Sequence, residues 1–287
     1  MFLFACGGDD NKTDGGPDAT IDAADEPDVL ADVVVDAPPE RAIWVASDTT
    51  LWKFDPQTKV VTKVAEFDCS GEPMIDLAMN GSEELFGITS ESIVRIDKDS
   101  GVCTGIVRGA QNLPFATGFI AGSEKWVGYK FSAASTIDPD SGALGFLGQM
   151  NDDAGNFFQA SGDLVSMAGG KTYATTVNFN PQVGDGIVEI DPTTGGVTRF
   201  DGVTGLQDLR GLGQWGGFLY LFAGTGKVYL GTVTDAGVNM KSLPIKYDFG
   251  GDASTDAATD AGDAASDAGP FFIRFRGAAV TTRAPTQ

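Results

Sequence analysis

One short block recurs along this chain at a spacing that few folds share. Its copies are Phe54-Asp55-Pro56-Gln57-Thr58, Ile96-Asp97-Lys98-Asp99-Ser100-Gly101, Ile137-Asp138-Pro139-Asp140-Ser141-Gly142 and Ile190-Asp191-Pro192-Thr193-Thr194-Gly195. Their leading Asp residues lie 42, 41 and 53 positions apart. Periods of about 40–50 residues with strand-like content mark the blades of a β-propeller. Asp and Pro suit the opening positions of a tight turn, and Gly takes the positive φ that closes a hairpin.

The repeat extends beyond the turn. An aromatic precedes each Asp at a nearly constant distance: 11 residues from Trp44 to Asp55 and from Phe86 to Asp97, and 12 from Trp126 to Asp138. The interval from Tyr173 to Asp191 is 18, which implies an insertion near residues 177–183, and a degenerate fifth copy runs 11 residues from Tyr220 to Gly231. Each aromatic sits in a short run rich in aromatic and β-branched residues, as strands do. Another such run lies before each Asp turn and another after it. A first strand is expected near 76–79, 117–121, 163–168 and 208–212. The first blade lacks one at the N-terminal side, and residues 275–282 can supply it, which would close the ring without an open edge. The expected fold is all-β: a propeller of five four-stranded blades, closed by a C-terminal strand. A β-sandwich or two small β domains is the competing reading, and the regular aromatic-to-Asp spacing favours the propeller.

Charge separates the repeats from two flanking segments. The chain of 287 residues carries a formal charge of −21. Residues 7–40 account for −10 and residues 251–269 for −5, which leaves −6 for everything else. Both segments have an Asp-Ala texture with few large apolar groups, a composition that does not offset the entropy of ordering. We read 1–6 as the remnant of a signal sequence, 7–40 as an acidic tether, and 41–287 as the propeller with an acidic insert at 251–269. The acidity argues against nucleic acid, whose phosphates it would repel. A calcium ion or a basic partner is conceivable for the tails, and a solubilising spacer is the simpler reading.

Leu3-Phe4-Ala5-Cys6-Gly7 resembles a bacterial lipobox, with Cys6 as the lipidation site. Only five residues precede Cys6, fewer than the apolar stretch of a signal peptide requires. A lipid-anchored protein of the bacterial cell envelope, outside the cytoplasm, is expected. Cys69 and Cys103 then remain, and an even remainder in an oxidising compartment suggests one disulfide, with two buried free thiols as the alternative.

The chain contains no His, which removes Ser-His-Asp catalysis and His-ligated metal sites. Carboxylates are what remain. Asp76, Asp163 and Asp208 open first strands at matching places and could converge at the channel mouth. Converging carboxylates suit calcium or glycoside hydrolysis. Alternatively they bond the backbone of the next blade. The irregular loops offer a second candidate: Asn151, Asp152, Asp153, Phe157 and Phe158 in one, and Asn178, Phe179 and Asn180 in another. Amides and carboxylates beside aromatics suit a sugar or peptide.

The Ile-Asp-Pro-x-Thr-Gly turn and the four-strand spacing resemble bacterial extracytoplasmic propellers of the WD-repeat-like, YVTN-like and quinoprotein-like kind. The resemblance covers residues 41–247 and the C-terminal strand. The Trp-Asp dipeptide of WD repeats is absent, as is the repeated Trp signature of quinoproteins, so no quinone cofactor is implied. The Asp placement is also similar to five-bladed propeller glycosidases, without their local motifs. The leading expectation is a monomeric, tethered, non-enzymatic scaffold that takes a protein, peptide or glycan and needs no cofactor. The alternative is a carbohydrate-active hydrolase or lyase using the three Asp residues.

Overall fold

The computed structural model describes residues 38–177, 184–235, 237–250 and 273–286. The Cys6 motif, nearly all of the acidic tether, Asn178, Phe179, Asn180 and the 251–269 insert lie outside them.

The described chain is built from antiparallel sheets in sequence order. β1 (Ile43–Ala46), β2 (Thr50–Asp55) and β3 (Val60–Glu66) belong to blade one. Blade two holds β4 (Met74–Met79), β5 (Leu85–Thr89), β6 (Ile93–Ile96) and β7 (Cys103–Val107). Blade three holds β8 (Ala116–Ile120), β9 (Lys125–Lys130), β10 (Ala133–Ile137) and β11 (Leu144–Gln149). Blade four holds β12 (Ala160–Ser166), β13 (Thr172–Thr176), β14 (Gly186–Ile190) and β15 (Val197–Val203). Blade five holds β16 (Leu209–Trp215), β17 (Phe218–Ala223), β18 (Val228–Thr234) and β19 (Gly237–Leu243). Two further strands follow, β20 (Lys246–Asp248) and β21 (Gly277–Ala279).

The protein is a five-bladed propeller, and both late strands join blade one. β21 is its innermost strand, antiparallel to β1 with Ala278 opposite Val45. β20 is a strand the repeat did not suggest. It lies parallel on the outer edge of β3, with Tyr247 opposite Val61. Trp52 anchors this addition through edge contacts with Tyr247 at 6.5 Å and Phe249 at 5.8 Å. Blade one is therefore clasped on both sides by chain that follows blade five, and neither of its edges is left bare.

The periodic aromatics explain how the blades stack. Trp44, Phe86, Trp126, Tyr173 and Tyr220 all lie on second strands and are all buried. Between blades two and three, Trp126 stacks on Phe119 at 5.4 Å and meets Phe86 at 5.2 Å. Between blades five and one, Phe54 packs on Tyr220 and Phe222. Rings at 4.5–7 Å contribute beyond their buried area.

The Asp turns close the third and fourth strands. In blade two, Asp97 Oδ1 accepts from the Ser100 N–H at 2.9 Å and from its hydroxyl at 2.7 Å, while Gly101 N–H bonds the Asp97 carbonyl at 2.9 Å. These bonds, the Ser100 hydroxyl foremost, hold the Asp97 carboxyl below its ordinary pKa. Gly101 serves two ends. Its φ is +70°, and a Cβ there would stand 2.5 Å from the Glu66 carbonyl oxygen of blade one. The turn glycine is thus also an inter-blade contact. In blade one the same position is Lys59, at φ 61°.

Cys69 and Cys103 are disulfide-bonded, with Cα atoms 5.0 Å apart. The bond ties the connection after blade one to the outer strand of blade two, beside main-chain bonds from Asp68 N–H to Gly101 and from Cys103 N–H to Asp68.

Left-handed backbone costs a side chain about 1–2 kcal/mol. Lys59→Gly should therefore raise unfolding stability by about 1 kcal/mol, less what glycine loses in the unfolded chain. Gly101→Ala should lower it by more than about 1 kcal/mol, because φ and the Glu66 carbonyl both oppose the new methyl. Denaturant titration of the two variants checks this; equal and opposite small changes would show that the blade contact at Gly101 is soft.

Candidate functional site

Three of the five inner strands enter the propeller with an irregular register. Pairing with the second strand shifts between Met74 and Asp76, between Ala160 and Leu164, and between Leu209 and Gly211. Such bulges re-aim side chains. In blades two and four the result is a fully buried aspartate on the propeller axis, Asp76 on β4 and Asp163 on β12.

Their bonds reach all five inner strands in two groups, β4 with β8 through Asp76 and β12 with β16 and β21 through Asp163. Asp76 Oδ1 accepts from its own neighbour Leu77 N–H at 2.9 Å. Its Oδ2 accepts from Thr117 of β8, N–H at 2.6 Å and hydroxyl at 3.1 Å. Asp163 Oδ1 accepts from Leu164 N–H at 2.6 Å. Its Oδ2 accepts from Leu212 N–H of β16 at 2.7 Å and Ala278 N–H of β21 at 2.9 Å. Gly277 lets β21 pass this close: a Cβ there would lie 2.1 Å from Asp76 Oδ1. Inner strands of different blades share no ladder, so their inward N–H groups need other acceptors. The two carboxylates provide them.

Burial pushes both carboxyl pKa values well up, and the Asp163 charge adds to the rise at Asp76; the N–H donors pull the other way. Beside them the axis holds a cavity of about 10 Å³, lined by residues such as Leu77, Thr117, Leu164, Leu212 and Ala278. That is room for about one water molecule. Neither carboxyl reaches solvent, so a glycosidic bond has no approach to them.

Asp208 does not join the pair. It has φ 60°, its carboxylate meets Arg210 Nε at 2.5 Å, and its carbonyl accepts Gly224 N–H at 2.8 Å. The matching sequence position misled because the register shift precedes Asp76 in blade two but follows Asp208 in blade five, where Gly211, three residues on, takes the place of Asp76. The acceptor for Leu209 N–H is instead Asp185 Oδ2 at 2.9 Å, a buried residue just before β14. Asp185 lies in the insertion-bearing stretch, out of step with the repeat. Hydrolysis by Asp76, Asp163 and Asp208 acting together thus fails on geometry: two are sealed and the third stands apart.

The loop face carries the accessible groups. Strand order places the connections between blades and the turns joining second to third strands on the same face. In the 151–159 loop, Asp152 Oδ1 accepts from Asn156 N–H at 2.8 Å and its Oδ2 from the Asn156 amide at 2.7 Å. The Asn156 side chain leads in holding the Asp152 carboxyl below its usual range. Asn151 bridges Phe157 through the backbone and accepts from Val197 N–H at 2.8 Å. Asp153 is exposed. The two phenylalanines part company: Phe157 is 74% exposed, while Phe158 turns onto Phe200 at 5.7 Å. Among the described residues no group of three or more Cys, Asp or Glu side chains is placed to hold a metal ion.

A neighbouring groove of about 500 Å³ opens between blades two and three. The turn residues Thr89, Ser90 and Glu91 form one wall, and Gln111, Asn112 and Lys130 the other. Phe115 also lines it and meets Phe131 edge-on at 5.5 Å. Sequence reasoning missed this groove. Its residues fall on no repeated position, and only the exposed aromatic in a turn, Phe131, offered a signal.

No family model and no curated protein matches the chain. Several solved structures are similar to the chain at low identity. One is a protein of unknown function from Bacteroides caccae, 12% identical over 71% of this chain and 73% of that one, with a TM-score of 0.40. BamB from Moraxella catarrhalis is 10% identical over 74% of this chain and 62% of its own, TM-score 0.39. The gluconolactonase XC5397 from Xanthomonas campestris is 13% identical over 72% and 67%, TM-score 0.44. At these values none of them bears on what this chain does.

Two predictions follow from the axis. Asp163→Asn leaves at least one buried N–H without an acceptor and should lower stability by about 1–3 kcal/mol. Asp208→Asn, a partly exposed pair, should cost less than about 1 kcal/mol. Denaturant titration should rank them in that order. Second, burial raises the folded-state pKa of both axial carboxyls above the unfolded value of about 3.9. The folded protein then binds more protons in the window above about pH 4, so stability should fall as pH rises through it and level off above the folded pKa values. The fall should shrink in Asp76→Asn. The exposed turn carboxyls with lowered pKa, such as Asp97 and Asp152, lose their contribution only below that window. Stability that climbs steadily from pH 4 to 8 would contradict the assignment.

Proposed function

We propose that this protein is a non-enzymatic scaffold, tethered at a bacterial cell envelope through a lipid on Cys6, that binds a protein, peptide or glycan through its loop face. One observation carries the reading. The strongest carboxylate cluster is spent on holding inner strands, whereas the loop face presents groups that the fold does not use. Phe157 stands out from a loop braced by the Asp152–Asn156 pair. A braced loop with an exposed aromatic loses little entropy on binding.

The tethering half rests on the Ala5-Cys6-Gly7 motif and the acidic, Asp-Ala-rich run that follows it. The Cys69–Cys103 bond supports a compartment outside the cytoplasm, where disulfides persist. We place the acidic segments as spacers, calcium as dispensable, and the working form as a monomer. No helix among the described residues is long and apolar enough to cross a membrane, and a lipid on Cys6 would supply the attachment.

The test uses the full-length chain on arrays of glycans and peptides, with released sugar assayed in parallel. Replacing Phe131 and Phe157 together by Ala should weaken the binding found by at least tenfold without lowering the melting temperature. Phe146→Ala, which removes an equally exposed ring from the outer strand of blade three, should leave binding unchanged. Sugar release abolished by Asp76→Asn or Asp163→Asn at unchanged fold would overturn the proposal. For the anchor, Cys6→Ser should move the protein from the membrane fraction to the soluble one.

A further inference from the structure

The turn joining second to third strands in blade three breaks the pattern of its equivalents. Blade one uses Ser47, Asp48 and Thr49 there, blade two Ser90, Glu91 and Ser92, and blade five Gly224, Thr225, Gly226 and Lys227. Blade three has only Phe131 and Ser132 between β9 and β10. A two-residue hairpin with positive φ at its first position selects Gly, Asn or Asp. Phe131 nevertheless sits at φ 55° with its side chain 56% exposed. A bulky residue in that region is a real outlier, and such strain gathers at functional sites. Burial does not explain it, since most of the ring faces water.

The ring meets Phe115, which lines the groove between blades two and three, and Phe131 directly follows Lys130 of the groove's wall. Two further features of that groove point to a ligand. The side chains of Gln111 and Ser90 are exposed and make no hydrogen bond among the described residues, and Asn112, also left-handed at φ 64°, accepts from Lys130 Nζ at 3.0 Å through its side-chain oxygen and donates its amide N–H groups to no described residue. The one anion and the one cation of the walls, Glu91 and Lys130, balance, so the groove has no preference for a charged guest. Nor does it offer a strand edge to a peptide. The wall N–H groups of Ala110 and Phe115 already bond Glu91 and Tyr129 carbonyls, at 2.8 and 3.0 Å. Side-chain amides and a hydroxyl around one flat apolar face match a ligand with many hydroxyls and an apolar C–H face.

We infer that this groove is a subsite for a neutral saccharide, with Phe131 as the stacking platform and Gln111, Asn112 and Ser90 as partners for its hydroxyls. The inference rests on the loop-face reading and narrows it. The Phe131 carbonyl also accepts Ala160 N–H at 3.0 Å, at the end of the 151–159 loop, so the platform is fixed to the second recognition element.

The experiment measures affinity of the full-length protein for array-selected neutral oligosaccharides, by calorimetry, in two single variants. Phe131→Gly should weaken binding at least tenfold while the melting temperature holds or rises, because glycine relieves the left-handed strain. Gln111→Ala, an exposed change with no bearing on folding, should weaken it about threefold or more. Unchanged affinity in either variant would overturn the subsite, and so would a preference for acidic sugars. Binding of peptides alone would overturn it while leaving the loop-face reading intact. Loss of saccharide binding in Phe157→Ala but in neither groove variant would do the same. Binding of neither class would sink both.

Discussion

Two buried carboxylates hold the centre of this propeller. A propeller has no hydrogen-bond ladder across its axis, so the inward edges of its inner strands present main-chain N–H groups that must find acceptors. Asp76 takes those of β4 and β8, and Asp163 those of β12, β16 and β21. Between them every blade is engaged, including the one completed by the chain's last strand. The axis is also too narrow for larger groups, as the approach of Gly277 to Asp76 shows. Two anions this deep are costly, and each is offset by three donors. Asp163 registers the closing strand through Ala278, and that strand has only three residues of its own to pair.

That arrangement moves the search for function outward. Once the axial carboxylates are committed to the backbone and the axis is filled, the accessible chemistry lies on the loop face. There the protein accepts local cost: a left-handed Phe131, a left-handed Asn112 and an exposed Phe157. The opposite face, made of the Asp turns, shows the reverse economy. Asp97, Asp138 and Asp191 each satisfy their own turn. Asp turns that satisfy their own carboxyls on one face and irregular loops on the other divide structure from recognition, while left-handed side chains occur on both, Lys59 among the former.

The repeat made the architecture legible because blade stacking constrains particular residues. An aromatic on each second strand and a glycine in most third turns are demanded by inter-blade contact, so they recur at fixed spacing. The C-terminal strand was readable for the same reason, since its Gly-Ala run matches the inner strand of blade five. β20 was not readable: three residues on an outer edge obey no repeat, and aromatic contacts with Trp52 decide their place. Asp76 and Asp163 were visible as strand openers, but their roles depend on which N–H groups face them across the axis. That is a tertiary fact, and it separates them from Asp208. The groove beside Phe131 was hidden because its walls come from two blades and from positions without period.

The most direct measurement is native-state hydrogen exchange at the amides of Leu164, Leu212 and Ala278. If Asp163 knots the inner strands of blades four, five and one, these three should exchange only through global unfolding, with protection equal to that of the most buried strand positions. Exchange at Leu212 and Ala278 that is far faster than this would mean an open, hydrated axis. The carboxylates would then be available for chemistry, and the assignment of function to the loop face would lose its foundation.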